Sequence, residues 1–317
     1  LMDPSMKRGL EATGFENVVE LDELDEIGVP GGTITGNNAT IQFRLMTFTF
    51  ADVGTIVRTN SELALAEFSE LNNTGQTLNL NNSTGQQGTW TMRGGKITGG
   101  TIQSSGGATL LFPATRFGTL DGVTLNTGPT MGSGSSMFVH NSLTLNNITV
   151  DLSNGGTGSA NMTFVLGTRL LSGTGTVVLG NDSSRGVSGD TFGGGNVTIG
   201  SGILIRGQRG FVNRATNQGK VSADVSGGIV AFRDSINDVG GVLEAKNGGI
   251  LRLENNWDNN GLIDVQTSST LWMTGNNVTA DIGTIQRAAN TTVRLSDTLT
   301  NTGEVLDVQA KFGGDVE

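Results

Sequence analysis

The chain has 317 residues, of which 50 are Gly and 4 are Pro, with no Cys or Tyr and a formal net charge of -10. With no thiol and a single imidazole, at His140, it cannot build a Cys nucleophile, a disulfide or a zinc site of several Cys or His ligands. Aromatic residues make up only 5% of this acidic chain, so it also lacks the basic charge and the stacking rings that nucleic-acid binding requires, and we expect no nucleic-acid partner.

Charged residues make up 15% of the chain, below the roughly 25% of ordinary globular domains, so the surface is predicted to be neutral and rich in Asn, Thr, Ser and Gly. The apolar runs are far shorter than the roughly 20 residues that cross a bilayer, and we expect no transmembrane segment. No signal-peptide pattern opens the sequence at Leu1. We therefore expect a signal peptide to be absent or already removed, and the chain to be a processed or excised segment.

Residues 1–30 form a distinct acidic segment, in which six carboxylates between Glu16 and Glu26 are interleaved with apolar residues. The apolar spacing suits a helix or an irregular cap as well as a strand. Because the open end of a repeat stack needs a cover against edge pairing, we predict a cap here. A segment donated to a neighbouring subunit is the alternative. The predicted boundaries are 1–30 for this cap or linking segment and 31–317 for the repeat region.

An internal repeat is clearest in the C-terminal third of the chain. Its marker glycines recur at a spacing of about 20–22 residues and are Gly219, Gly241, Gly261, Gly283 and Gly303. Alternating apolar and polar residues follow each glycine, which is the pattern of a strand with one buried face. Second strands are predicted at 250–253 and 270–273, so that one unit holds two or three short strands.

The end of the chain repeats part of its beginning. The segment 52–58 recurs at 281–287, and the segment 71–75 recurs at 299–303. Gly54 and Gly75 are therefore assigned to the same class of coil glycine as Gly283 and Gly303. This echo indicates a piece of a longer modular array, although an ancestral duplication within one domain would leave the same pattern.

These units predict an all-β fold, a single right-handed parallel β-helix of roughly 13 coils of about 20–22 residues. The Leu frame of leucine-rich repeats is not kept, and the unit is too short for a propeller blade. Coil corners are expected to use glycine with positive φ, and Asn side chains to form ladders between coils. Val221, Val242, Ile263 and Ile285, which follow the coil glycines, are predicted to stack as one inward column.

Several segments resemble the repetitive surface proteins of bacteria, the adhesin-like and autotransporter-passenger-like β-helices. The resemblance is carried by Gly-Thr-Ile-x-Arg and Asn-x-Gly-x-Ile/Val-x-Ala/Val units and by the segments 94–102 and 118–125, and it covers most of residues 31–317. It implies secretion, an extracellular or cell-surface location and a role in surface attachment or matrix. It carries over no catalytic residue, because these motifs describe coil geometry.

Enzymatic β-helices that degrade polysaccharides define the alternative class, which includes tailspike-type proteins of phages. His140 has no paired Asp run in its own coil, and we interpret it as structural. Arg206, Arg209 and Arg214, with Asp224 one coil away, form the one basic cluster that suits a carbohydrate site; a solvated coil corner is the competing interpretation. The sequence thus favours a non-catalytic structural or adhesive module over a polysaccharide-binding or polysaccharide-degrading one.

No cofactor is expected. The glycine-rich segments fit neither a phosphate loop nor a calcium-binding nonapeptide, although incidental Ca²⁺ at a turn carboxylate such as Asp182 or Asp190 is compatible with oxygen-ligand chemistry. The expected partners are copies of the chain or like repeats, joined end to end into filaments through an open coil, and surface polysaccharide.

Overall fold

The computed structural model describes the backbone of residues 18–22, together with residues 33–82, 88–190 and 195–309. These form a parallel β-helix, which confirms the predicted fold class, and every pairing between named strands is parallel. The strands are β1 Val18–Asp22, β2 Thr33–Asn37, β3 Thr40–Arg44, β4 Thr47–Phe48, β5 Thr55–Thr59, β6 Glu62–Ala66, β7 Glu70–Asn72, β8 Thr77–Asn81, β9 Trp90–Arg93, β10 Lys96–Thr98, β11 Thr101–Ser105, β12 Leu110–Phe112, β13 Phe117–Leu125, β14 Thr130–Met131, β15 Ser136–Asp151, β16 Asn161–Gly189, β17 Val197–Ile199, β18 Ile203–Asn213, β19 Ala215–Asn217, β20 Lys220–Ala223, β21 Ile229–Arg233, β22 Ile236–Asn237, β23 Val242–Ala245, β24 Ile250–Glu254, β25 Asp258–Asn259, β26 Leu262–Val265, β27 Thr270–Met273, β28 Asn276–Val278, β29 Thr284–Arg287, β30 Thr292–Leu295 and β31 Thr298–Thr300.

Successive strands of a coil build three sheets, which we call sheets I, II and III in chain order within the coil. In the C-terminal half, sheet I contains β20, β23, β26 and β29, sheet II contains β21, β24, β27 and β30, and sheet III contains β22 and β25. The long strands β15, β16 and β18 run through more than one sheet of the same coil. A short two-stranded sheet, β2 with β5, stands beside the first coils.

Coil length varies more than the sequence repeat predicts. The β-helix makes about 12 turns. In sheet I, Val178 pairs with Arg206, and Arg206 pairs with Ser222, so a long coil is followed by a much shorter one. Corner loops take up these differences while the strands stay in register, because loops at the surface tolerate insertion and deletion. From Ser222 onward the regular repeat returns, and the next partners in sheet I are Glu244, Asp264 and Gln286.

The N-terminal cap assignment falls mostly outside the described residues. Within it, β1 pairs in parallel with β3, Val18 opposite Thr40, so the coil stacking extends back to residue 18. In the next coils an aromatic cluster fills the interior, with the Phe43 ring centre 4.6 Å from that of Phe48 and 5.6 Å from that of Trp90.

The predicted inward column is correct at three of its four positions. Val221 and Ile263 are fully buried, and Ile285 in the last described coil is half-buried against the core. The prediction for Val242 is wrong, because this residue pairs with Lys220 and lies on the outer side of sheet I. Its neighbour Leu243 pairs with Val221 and is fully buried. Because strand side chains alternate between two faces, an error of one residue moves a side chain from the core to the surface.

An Asn ladder lines sheet III, as predicted. Asn217 Nδ2 donates to Asn237 Oδ1 at 2.8 Å, Asn237 Nδ2 donates to Asn259 Oδ1 at 2.6 Å, and Asn259 Nδ2 donates to the backbone oxygen of Ile282 at 2.9 Å. All three Asn residues are buried. Each rung satisfies the amide of its neighbour, so polar groups enter the core without remaining unpaired.

This ladder explains the marker glycines better than backbone conformation does. A Cβ on Gly241 would lie 2.2 Å from the backbone oxygen of Asn217 and 2.5 Å from Asn237 Oδ1, and one on Gly261 would lie 2.4 Å from the oxygen of Gly241. Gly219, Gly241 and Gly261 do not have positive φ. The predicted positive φ therefore fails at these three positions, where glycine is required because the chain passes against the coil below.

Positive φ does apply at the other coil glycines, Gly54, Gly75, Gly283 and Gly303. Gly54 ends the short helix α1 (Phe50–Val53) with φ 64° and ψ −137°, and Gly283 ends the 3₁₀ turn Thr279–Ile282 with φ 58° and ψ −139°. The repeated sequence thus takes the same local structure twice. The strands that follow differ in position, because β5 pairs with β2 outside the main sheets and β29 extends sheet I.

Candidate functional site

The four residues of the predicted carbohydrate site do not converge. Arg206 and Asp224 form an ion pair, with Nε 2.5 Å from Oδ2, and the Asp224 side chain is only 4% exposed. This pair belongs to the edge of sheet I. Arg209 begins the sheet II part of β18 opposite Ile229, and Arg214 follows that strand at a corner with φ 51°. Arg206 is therefore held by a buried carboxylate, and of the other two arginines Arg209 alone lines a pocket on sheet II.

That pocket has a volume of about 110 Å³ and is bordered by three guanidinium groups from successive coils, those of Arg209, Arg233 and Arg252. Its lining also includes Ala231 and Ile229, which are apolar. Arg209 is exposed, and no carboxylate among the described residues pairs with it. The arrangement provides a small basic recess on the surface of a strongly acidic protein.

Glu254 holds the other two arginines in place. It forms ion pairs with both Arg233 and Arg252, and all three side chains are largely shielded from solvent. Three arginines thus border the recess while one carboxylate pairs with two of them, which leaves a local excess of positive charge. Planar guanidinium groups suit the bidentate binding of carboxylate or sulfate oxygens.

Two aromatic rings complete the site. The Arg233 guanidinium carbon lies 5.0 Å from the ring centre of Phe211, and that of Arg252 lies 5.4 Å from the ring centre of Trp272. Trp272 Nε1 donates to Ser296 Oγ at 3.0 Å. Cation–π contacts of this geometry help to hold the two arginines in place. Sheet II of the C-terminal coils therefore carries two arginine–ring pairs, Arg233 with Phe211 and Arg252 with Trp272.

The sequence analysis missed Arg233, Arg252 and Trp272. The signal that locates them is the register: Phe211, Ala231, Arg252 and Trp272 pair directly in successive coils. Reading the outward positions of the repeat at this spacing would have placed Arg252 and Trp272 above Phe211. The cluster of Arg206, Arg209 and Arg214 was instead predicted from residues that are neighbours in sequence.

A second group of charges lies on sheet II of the N-terminal half. Lys96 Nζ is 2.8 Å from Glu70 Oε2 and 3.8 Å from Asp121 Oδ2, and Asp121 pairs in register with His140. Asp121 is not visible as a neighbour of His140 within one coil of the sequence, because it belongs to the neighbouring coil. Burial lowers the pKa of His140, and the positive charge of Lys96 lowers it further, against the opposing effect of the Asp121 and Glu70 charges.

This N-terminal cluster is internally compensated. Burial raises the pKa of Glu70, but hydrogen bonds from Lys96 and Thr98 outweigh it, and the resulting pKa lies below the ordinary value. Thr98 Oγ1 donates to Glu70 Oε1 at 2.6 Å, and Asn141 Nδ2 donates to Asp121 Oδ1 at 2.7 Å. Both carboxylates are thus engaged with protein donors.

A cavity of about 610 Å³ lies between α1 and β8 and is lined by neutral residues, among them Phe50, Asn72, Gln76 and Asn79. None of its lining residues is titratable. Within the described ranges no group of three or more His, Asp or Glu residues has the arrangement of a metal site. Of the two turn carboxylates considered for Ca²⁺, Asp182 accepts hydrogen bonds from the backbone and hydroxyl of Ser184, and Asp190 is buried.

Comparisons with known proteins give no relative: no family model, no curated protein and no solved structure matches the chain. A helix suited to crossing a bilayer is absent from the part of the chain that the structure describes.

Proposed function

We propose that this protein is a non-catalytic structural and adhesive module of an extracellular or cell-surface assembly, and that sheet II of its C-terminal coils binds acidic polysaccharide. The observation that carries the proposal is the basic pocket on that sheet, bordered by Arg209, Arg233 and Arg252 and flanked by two arginine–ring contacts, with Arg209 free of a carboxylate partner among the described residues. A parallel β-helix suits such a role, because each coil is held by its neighbours and side chains keep fixed spacing along the rod.

Binding is favoured over polysaccharide cleavage by the state of the charged groups. A lyase base must be free to take a proton, and Arg206 is paired with buried Asp224. The recess on sheet II contains guanidinium groups, which are effectively always protonated and serve to hold anions. Near His140, Glu70 and Asp121 both contact Lys96, which places each carboxylate in an ion pair.

The proposal is tested by measuring binding and turnover on one panel of polysaccharides: a uronic-acid polymer, dextran sulfate and neutral dextran. We expect the full chain to bind the two acidic polymers, with affinity that falls as salt rises, and to release no reducing or unsaturated ends from any of them. Retention on none of the three polymers would overturn the adhesive role. Turnover that is abolished by Arg206→Gln or His140→Ala would overturn the non-catalytic role.

End-to-end association of copies is a second element of the proposal. Among the described residues, β29, β30 and β31 each pair with the preceding coil alone. A parallel edge that is paired on one side is a template for a further coil, from the same chain or from a copy, and a head-to-tail contact between copies that does not close produces filaments. Light scattering and electron microscopy of the purified chain over a range of concentrations test this: growing rods are expected, and a monomer at all concentrations would contradict it.

A further inference from the structure

The pocket on sheet II exists because one position of an outward ladder is small. Phe211, Ala231 and Arg252 are direct partners in three successive coils, and Trp272 is the partner of Arg252 in the next. Ala231 alone among these four has no extended side chain. The larger residues on the coils before and after it border a narrow gap, at whose base Ala231 is only 1% exposed.

The gap is lined by positive charge at its rim and by apolar groups at its base. Arg209, Arg233 and Arg252 surround it, and Ile229 and Ala231 lie beneath. Charge-assisted hydrogen bonds are stronger over an apolar surface than in open water, since fewer water molecules compete for the donors. A volume of about 110 Å³ suits one carboxylate or sulfate group rather than a whole sugar ring.

The arginines are also positioned before any ligand arrives. Glu254 and the rings of Phe211 and Trp272 fix Arg233 and Arg252. Binding then immobilises few side chains beyond Arg209, and a rigid site loses less entropy on association. We propose that the gap above Ala231 is a specificity pocket for a single anionic oxygen group, the carboxylate or the sulfate ester of an acidic glycan.

This inference rests on the proposed polysaccharide binding and assigns it to one coil. A formal net charge of -10 disfavours the dense phosphate chain of nucleic acid. Acidic glycans carry fewer charges per length, separated by neutral hydroxyl groups. The Asn- and Thr-rich surface beside the pocket can hydrogen-bond such hydroxyl groups.

The test compares four variants of the full chain in titrations with short oligogalacturonates, with sulfated dextran oligosaccharides and with neutral dextran oligosaccharides. Ala231→Met fills the gap and keeps all three arginines, and Arg209→Gln removes the exposed one. Two controls match these changes outside the proposed binding surface: Thr284→Met adds the same side chain at an exposed position of sheet I, and Arg116→Gln removes an exposed arginine elsewhere. Circular dichroism verifies that each variant is folded.

We expect each pocket variant to weaken binding of an acidic oligosaccharide by about tenfold or more. Arg209→Gln removes a charge-assisted hydrogen bond to the anionic group, and Ala231→Met occupies the space that this group needs. The two controls should stay within about twofold. The carboxylated and sulfated ligands distinguish which anionic group the pocket prefers.

Acidic binding that neither pocket variant weakens would overturn the pocket while leaving the adhesive role standing. Binding of the neutral oligosaccharide alone would overturn the choice of an acidic ligand and keep a polysaccharide-binding role. Binding of no oligosaccharide and no polymer would overturn both proposals.

Discussion

Replacing Asn237 by Ala removes the middle rung of the buried ladder. The side chain is fully buried, accepts from Asn217 Nδ2 at 2.8 Å and donates to Asn259 Oδ1 at 2.6 Å. Each hydrogen bond contributes about 1 kcal/mol net, and a buried group left without a partner costs about 1–3 kcal/mol more. Asn217 Nδ2 keeps weaker contacts to backbone oxygens, including that of Gly219 at 3.3 Å, so the unpaired group is chiefly Asn259 Oδ1. We therefore expect a loss of about 3–5 kcal/mol in the free energy of unfolding.

Asn260 supplies the matched control, because it adjoins the ladder, is exposed, and its side-chain amide donates to Asp258 Oδ2 at 2.9 Å, outside the ladder. Asn260→Ala should change the free energy of unfolding by no more than about 0.5 kcal/mol. Urea unfolding followed by tryptophan fluorescence measures both, since Trp257 is buried in the coil of Asn259. Equal effects of the two substitutions would refute the view that the ladder stabilises these coils.

The other predictions concern the coil glycines, the register and a buried carboxylate. Gly241→Ala should lower the free energy of unfolding by at least about 2 kcal/mol, because its Cβ would overlap the Asn217 backbone oxygen. Gly240→Ala should lower it by about 1 kcal/mol, because Gly240 has positive φ but open space around its Cβ position. If urea unfolding gave the larger loss for Gly240→Ala, the contact explanation would be excluded. Leu243 is fully buried, and Leu243→Ala should lower the free energy of unfolding by about 2–5 kcal/mol. Val242 is half-buried, and Val242→Ala should lower it by about 1 kcal/mol or less. Similar losses for the two variants in urea unfolding would argue against the observed register. Burial raises the pKa of Glu244, but hydrogen bonds from Lys246, Ser222 and Lys220 outweigh this and leave the pKa below its usual value. The carboxylate therefore stabilises the fold above its unfolded pKa of about 4.3, and this contribution is lost as the pH falls through the lower folded value. Stability of Glu244→Gln should depend less on pH in that acidic range than stability of the natural chain, and parallel pH profiles would contradict the assignment.

The architecture could be predicted because coil stacking leaves a period in the sequence. Gly219, Gly241 and Gly261 recur wherever the chain passes close to the coil below, and Asn217 and Asn237 recur because each amide needs another above it. Both constraints come from contacts between equivalent positions, so they are visible as repeats.

The exact register and the site could not be predicted in the same way. The inward assignment of Val242 fails because it lies one residue after its coil glycine, Gly241, whereas Val221 lies two residues after Gly219 and pairs with Leu243. Between Val178 and Ser222 two coils of unequal length shift the register, so no fixed spacing connects Arg209 to the repeat on either side.

The pairing of Asp121 with His140 in neighbouring coils also depends on loop lengths that the repeat does not fix. Such contacts arise between coils and depend on where each loop adds or omits residues.

The central claim is that sheet II binds an acidic glycan through the pocket at Ala231. A crystal structure of the chain soaked with an acidic oligosaccharide at saturating concentration tests this claim most directly. If the pocket binds an anionic group as proposed, a carboxylate or sulfate group lies at Ala231, within hydrogen-bonding distance of Arg209, Arg233 and Arg252, and the sugar rings run along sheet II. An oligosaccharide bound at any other surface, with the gap above Ala231 unoccupied, would contradict it.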